Sequence, residues 1–142
     1  MKPLVQLSTA LAAIISATTI HATPQVIQCP AEISPQAITV AAPAGWQPYA
    51  SFPLPLFGAG MSAGAPDSEA HLRGEPLDAK GAKTLYELGG ITVADGKWLD
   101  CLYGRSGEMQ LSRRLDDRTR RCTISHGKAV EGEPRRIDIR CE

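Results

Sequence analysis

The stretch that decides the fold is KWLDCLYGRSGEMQL, residues 97–111. Its first part, Lys97 to Tyr103, follows the period of two that is typical of a β-strand with one face against a core. Gly104 to Gly107 forms a short polar turn, and a second run of the same period begins after it. The pattern predicts an antiparallel hairpin with Cys101 in the middle of its first strand.

Two more short runs of period two follow this hairpin, RCTISHG at 121–127 and RIDIRC at 136–141. Met109, Leu111 and Leu115 mark the inner, apolar side of the second run of the hairpin. Consecutive antiparallel strands usually pair, so the runs predict a C-terminal meander of four strands. The predicted fold class is mainly β, a small antiparallel sheet or half-open barrel.

The residues before this region read differently, because residues 23–66 are poor in charge and rich in Pro, Ala and Gly. Prolines remove backbone donors, so we interpret this part as interrupted strands and a long Pro/Gly-rich covering segment. Short strands are also predicted at 70–73 and 83–88. Large apolar side chains at 46–57 either complete a small core or form a binding surface, and we favour the core. These side chains are Trp46, Tyr49, Phe52, Leu54, Leu56 and Phe57.

The N-terminus has the features of a secretory signal peptide. Lys2 precedes an uncharged, mostly apolar run from Leu4 to Ile20, and Ala22 is the small residue before a cleavage site. The run is weaker than the apolar stretch of about 20 residues that a membrane anchor needs. We therefore predict a signal peptide at 1–22, a single domain at 23–142, and a soluble, exported, periplasmic protein without membrane insertion.

The four cysteines, Cys29, Cys101, Cys122 and Cys141, predict two disulfides in an oxidising compartment. Their spacing does not match a zinc site. Chain entropy does not choose between the two pairings that do not cross. Cys122 and Cys141 share the apolar faces of consecutive strands, which favours Cys122–Cys141 and leaves Cys29–Cys101, although sequence alone does not fix the connectivity.

Other candidate chemistry is weak. Asp67, Glu69 and His71 would share one face of a strand, but Gly, Ala and Pro around them favour a turn, and no metal or other cofactor is predicted. Ser125 and His126 lack the G-x-S-x-G motif of a hydrolase, so no catalytic residue and no enzyme are predicted. Formal charge is balanced, and the arginine-rich stretch 113–121 contains acidic residues, so no nucleic-acid partner is predicted.

Several motifs together carry a resemblance: CPAEI, PAGW, GAPDSEAHLRGEP, KWLDCLYGRSGEMQLSRRL and RRCTISH, with a cysteine near the C-terminus. This pattern resembles a family of short exported four-cysteine proteins of Gram-negative bacteria that is known mainly by a locus-tag name. The resemblance implies a periplasmic β domain and, through relatives near interbacterial toxin systems, an immunity or inhibitor role. A fainter similarity, carried by Ser106-Gly107 in a hairpin turn, is to periplasmic inhibitors of c-type lysozyme.

The sequence thus favours a periplasmic protein-binding module, an inhibitor or immunity protein whose partner is a hydrolase or toxin. The alternative is a structural, envelope-associated protein that binds glycan or peptidoglycan. The oligomeric state is left open. The residues predicted to bind the partner are Trp46, Tyr49, Phe57, Ser106, Arg118, Arg120 and Arg121.

Overall fold

A computed structural model describes residues 24–142. The predicted signal peptide and its cleavage site lie outside the described residues. The strands of the described part are β1 (Gln25–Ile27), β2 (Glu32–Ile33), β3 (Leu54–Ala63), β4 (Glu75–Pro76), β5 (Lys83–Glu87), β6 (Lys97–Tyr103), β7 (Met109–Arg114), β8 (Arg121–His126) and β9 (Ile137–Cys141). Short 3₁₀ turns occur at Pro35–Ala37 and Pro66–Ser68. No helix within residues 24–142 is long and apolar enough to cross a membrane.

The strands form two antiparallel sheets, which confirms the mainly β class. One sheet has five strands in the order β1-β9-β8-β5-β4, and the other has four in the order β2-β3-β6-β7. The two sheets do not close into a barrel. Their inner faces pack against each other to form one core.

All four C-terminal runs form strands, but the prediction of one continuous meander is wrong. The β6–β7 hairpin belongs to the four-stranded sheet, whereas the β8–β9 hairpin belongs to the five-stranded sheet. The loop at 115–120 connects β7 in the first sheet to β8 in the second. The Leu115 N–H donates to Lys97 O in the first sheet, and Arg120 O accepts from the Leu88 N–H beside the second. Strand periodicity assigns faces and not sheets, so the sequence did not show this crossing.

Buried residues from both sheets make up the core. Its largest fully buried apolar side chains are Tyr103, Met61, Leu88, Leu99, Ile124 and Ile139. The Tyr103 hydroxyl donates to Pro30 O at 3.0 Å, which satisfies the one polar group that this ring brings inside. The N-terminal segment is therefore fastened to the end of β6.

Two disulfides join Cys29 to Cys101 and Cys122 to Cys141, the pairing that strand alternation favours. Cys122 and Cys141 are direct register partners in β8 and β9. The neighbouring residues Arg121 and Glu142 exchange both backbone hydrogen bonds, so the cysteines occupy the closer, non-hydrogen-bonded type of pair. Their Cα atoms are 4.1 Å apart.

Strand β3 corrects the interpretation of the proline-rich region as a covering segment. It is ten residues long and pairs with β2 at its start and with β6 along most of its length. Pro55 lies beyond Leu56↔Tyr103, the last pair with β6, so its missing N–H removes no bond from that ladder. The Gly, Ala and Ser residues of β3 are compatible with a strand between two neighbours, although they have low β propensity.

Strand β7 is an edge strand, and this changes the predicted role of Leu111. Leu111 is the register partner of buried Cys101, as its assignment to the inner face requires. Its side chain is nevertheless 43% exposed, because no strand of residues 24–142 lies on the other side of β7. Met109 packs against the core, and Leu115, just after the strand, is buried.

Candidate partner-binding surface

The aromatic segment, residues 43–53, runs over the surface without regular strand structure. Trp46, Tyr49 and Phe52 are 76%, 90% and 77% exposed. The preferred interpretation, that these side chains complete the core, is therefore wrong for them, whereas Leu56 is buried as expected. Three large aromatic side chains are thus exposed within seven residues, and exposed apolar groups that lie close together mark candidate interaction sites.

The β6–β7 turn, residues 104–108, is held by its own hydrogen bonds. The Ser106 N–H and hydroxyl both donate to the Glu108 carboxylate, at 3.0 and 3.1 Å. The backbone bond from Ser106 is the main reason that the pKa of Glu108 is lowered. Gly107 has φ +83°, a left-handed conformation that glycine adopts without strain. The turn is thus a compact, fixed projection.

Phe57 lies beside this turn. A Cβ added at Gly107 would come within 3.7 Å of Phe57 Cδ1, and Phe57 is 38% exposed. The Gly104 N–H donates to Pro55 O, so the start of β3 is fixed to the same turn. We refer to Phe57, Ser106 and Gly107 as the turn surface. The aromatic segment leads directly into it, since Phe52 precedes the first residue of β3 by two positions.

The predicted arginines do not join the turn surface. Arg118, Arg120 and Arg121 lie at the Lys97 end of β6, because the Lys97 side chain binds the carbonyl of Thr119 in the same loop. The length of β6 puts this end about 20 Å from the turn. The seven predicted residues therefore fall into at least two separate regions.

Two of these three arginines are already paired within the chain. Arg118 donates to both carboxylate oxygens of Asp116, and its side-chain hydrogen bond is the main reason that the pKa of Asp116 falls to about 2. Arg121 is bonded to the Glu142 carboxylate. Pairs this exposed contribute little to stability. They also reduce the net charge that the loop presents to a partner.

A polar cluster that the sequence did not reveal lies on the outer face of the four-stranded sheet. Asp100 is 1% exposed and accepts hydrogen bonds at Oδ1 from Gln110 and Ser112. Its Oδ2 has no hydrogen-bond partner and lies 3.8 Å from His71 Nδ1. Period-two alternation places Asp100 opposite the face of Cys101 and so predicts an exposed residue. Only the packing of neighbouring side chains makes it buried.

The candidates for metal binding and catalysis do not assemble in the described part of the chain. Asp67 lies in a 3₁₀ turn, and Glu69 has φ 52°, so these residues and His71 do not share a strand face. Within residues 24–142, no group of three His, Cys, Asp or Glu side chains could hold a metal ion. His126 Nε2 accepts a hydrogen bond from the Ala59 N–H at 3.4 Å, which ties β8 to β3.

The surroundings of His126 predict that the free energy of unfolding depends on pH. Burial, and then the charge of Arg135, lower its pKa below the ordinary 6.5, so folding favours the neutral ring that accepts from Ala59. The unfolded chain binds the proton more readily, and this contribution to stability is complete above pH 6.5 and is lost as the pH falls below it. We expect urea unfolding midpoints to fall between pH 7.5 and 5.5 for the wild type and to fall less for His126→Gln. A His71→Gln control should retain the wild-type decrease, and equal decreases in wild type and His126→Gln would contradict the assignment.

These features define a class of protein, a small disulfide-bonded β scaffold that presents aromatic side chains and a fixed turn to the solvent. Residues 50–142, about two thirds of the chain, match the family described as Type VI secretion system Tli immunity protein. The chain therefore belongs to this family of immunity proteins. No curated protein and no solved structure matches it.

Family membership establishes the function in outline: the protein neutralises an interbacterial toxin and binds a toxin protein as its partner. It confirms the inhibitor or immunity prediction. The matched residues include the whole turn surface. Trp46 and Tyr49 precede them, so a role for these two side chains rests on their exposure alone.

Proposed function

We propose that the protein acts in the periplasm, where it binds a hydrolytic toxin and blocks its cleft with the turn surface and the aromatic segment. It neutralises the toxin by binding and has no catalytic step of its own. The observation that carries this proposal is the exposure of Trp46, Tyr49 and Phe52 in the aromatic segment, which lies between β2 and β3. The family match supports a toxin as the partner.

Two features of the chain support this compartment. Both disulfides join residues that are far apart in sequence, by 72 and 19 positions, and such bonds persist in oxidising compartments. Residues 1–22 have the pattern of a secretory signal. A periplasmic immunity protein would meet a toxin delivered from outside before the toxin reaches its substrate.

The internal hydrogen bonds of the turn support this mode of binding. The turn is fixed by the Ser106–Glu108 bonds and by the bond from Gly104 to Pro55. A preorganised loop loses little conformational freedom when it enters a cleft. Aromatic side chains next to such a loop are the residue types that contribute most to binding energy.

The first experiment is competition against the parental strain, which we expect to carry the cognate toxin. A recipient that lacks the gene for this chain should be killed, and the full-length chain should restore survival. A chain that lacks residues 2–22 should not restore survival if neutralisation occurs in the periplasm. Equal protection by both would contradict the proposed compartment. Failure of the full-length chain to protect would contradict the function.

Affinity capture identifies the toxin and separates the two function hypotheses. The oxidised protein, purified from the periplasm, is immobilised and exposed to proteins secreted by the parental strain. One captured hydrolase whose turnover falls in proportion to the added protein would support the proposal. Retention of peptidoglycan fragments without any such protein would favour the envelope-associated alternative instead.

Alanine at Trp46 or Tyr49 should weaken binding of the captured toxin about tenfold each, because each change removes a large aromatic contact. Neither side chain contributes to the core, so the thermal unfolding midpoint should stay at the wild-type value. Calorimetric titration measures the affinity. Val130→Ala is the control, since Val130 is also exposed, at 53%, but lies outside the aromatic segment and the turn surface. Wild-type affinity in both aromatic variants would exclude the aromatic segment from the interface.

A further inference from the structure

Among the edge strands of residues 24–142, β7 is exceptional in its length. It has six residues, whereas β1 has three and β2 and β4 have two each. The short edges also have a proline within the strand or within two residues of it, which discourages pairing with another chain. Strand β7 has no proline and no break in its register with β6. It is therefore the least protected edge.

The open side of β7 carries unpaired backbone groups. The Leu115 N–H donates to Lys97 O, its opposite residue, so every second residue from Leu115 backwards turns its backbone toward β6. The alternate residues, Gln110, Ser112 and Arg114, turn their N–H and C=O groups away from the sheet. No backbone hydrogen bond within residues 24–142 uses these groups. They have the spacing that an additional strand requires.

A cleft lies beside this edge, where the two sheets fail to close. Its volume is about 410 Å³, and it separates β1 from the end of β7. Its lining residues are Gln25, Ile27, Arg113, Arg114, Leu115 and Asp116. The cleft thus combines apolar side chains, Ile27 and Leu115, with two exposed arginines.

The charge at this edge indicates the occupant. Strand β7 contains Arg113 and Arg114 and no acidic residue, and Asp116 in the cleft is bonded to Arg118. Arg114 is paired with Asp117 at 3.3 Å, so the positive charge that the edge presents comes mainly from Arg113. A second copy of the same edge would bring a second Arg113 without adding an acidic residue to either strand, which disfavours self-pairing. An extended segment with an acidic residue near Arg113 and an apolar residue opposite Leu111 would complement it.

We propose that the open edge of β7 binds an extended, acidic segment of the toxin, which adds to the four-stranded sheet as a fifth strand. This inference rests on the proposed function. The edge continues from the β6–β7 turn, so one toxin molecule would contact the turn surface and the edge together. Backbone hydrogen bonds would contribute affinity, while Arg113 and Leu111 would select the segment.

The test uses two substitutions at Arg114, which distinguish the contribution of its backbone N–H from that of its side chain. Arg114→Ala removes the side chain and keeps the outward N–H, whereas Arg114→Pro removes both and leaves the β6 ladder intact, since this N–H does not face β6. In competition against the parental strain, recipients with Arg114→Pro should survive at least tenfold less than those with Arg114→Ala. Both proteins should show wild-type periplasmic levels and intact disulfides.

A second pair of variants tests the charge and does not depend on tolerance of proline. Leu111→Asp places an acid on the edge and should lower survival at least tenfold relative to Leu111→Lys. With captured toxin, the amide hydrogens of Gln110, Ser112 and Arg114 should exchange fast in the free protein and become protected in the complex.

The outcomes are distinct. Equal survival within both pairs, with these amides unprotected in the complex, would overturn the edge proposal and leave the proposed function intact. A wild-type dimer that dissociates in Arg114→Pro would replace the toxin segment by a second copy and also overturn it. Absence of protection by the wild-type chain would overturn the proposed function together with this inference.

Discussion

Replacement of Cys29 and Cys101 by alanine is expected to lower the free energy of unfolding by about 4 kcal/mol in the chain-entropy model. The bond closes a loop over 72 positions, which restricts the unfolded chain more than the bond over 19 positions between Cys122 and Cys141. Cys29 lies between β1 and β2, which belong to different sheets. The bond therefore fixes the point where the N-terminal segment crosses from one sheet to the other.

Urea unfolding of the oxidised proteins at neutral pH measures this effect. Alanine at both Cys122 and Cys141 is the comparison variant and should cost about 3 kcal/mol, the smaller value that the shorter loop gives. A larger loss in the comparison variant would show that chain entropy does not dominate. Toxin binding should also weaken more in the Cys29 and Cys101 variant, because its N-terminal segment leads into the aromatic segment.

The sequence predicted the strands better than their arrangement. Runs such as KWLDCLY and RCTISH have a strong period of two, and both are strands in the structure. That period identifies the faces of a strand and carries no information about which sheet it joins. The division of the C-terminal runs between two sheets depends on the bonds of Leu88 and Leu115 across the loop at 115–120.

Strand β3 was not predicted, because its residue types argue against a strand. Its Gly, Ala and Ser residues have low β propensity, and Pro55 argues against a strand with neighbours on both sides. The structure accommodates Pro55 where pairing with β6 has ended. Tertiary contacts therefore stabilise a strand that local propensity disfavours.

The exposure of the large apolar side chains was predicted only in part, because hydrophobicity alone does not distinguish a core residue from an exposed one. Trp46 and Leu56 are both large and apolar in the same proline-rich stretch, yet one is 76% exposed and the other 5%. The sequence named Phe57 and Ser106 as candidate contact residues, and the structure brings the Ser106-Gly107 turn against Phe57. The open edge of β7 could not be predicted, since it depends on how the strands of residues 24–142 are divided between the two sheets.

Lys97→Met is expected to lower the free energy of unfolding by about 2–3 kcal/mol, the scale of hydrogen bonds made by a buried charged group. Lys97 is 5% exposed, and its ammonium donates to Asp117 O at 2.7 Å and to Thr119 O at 2.6 Å. Methionine fills a similar volume but leaves both carbonyls without this donor. The loop that carries the chain between the sheets would then lose its main attachment to β6.

Urea unfolding again measures the change, and Lys128→Met is the matched control because Lys128 is exposed in a loop and should tolerate the same substitution. The slope of the unfolding free energy against urea should stay unchanged if the variant only loses these bonds.

The two ends of β6 should also differ in their importance for toxin binding. Lys97→Met loosens the end that holds Arg118 and Arg121, about 20 Å from the turn surface. We therefore expect toxin affinity to survive this substitution at temperatures where the variant is folded. A loss of affinity as large as that of Trp46→Ala would instead assign the toxin interface to the arginine loop.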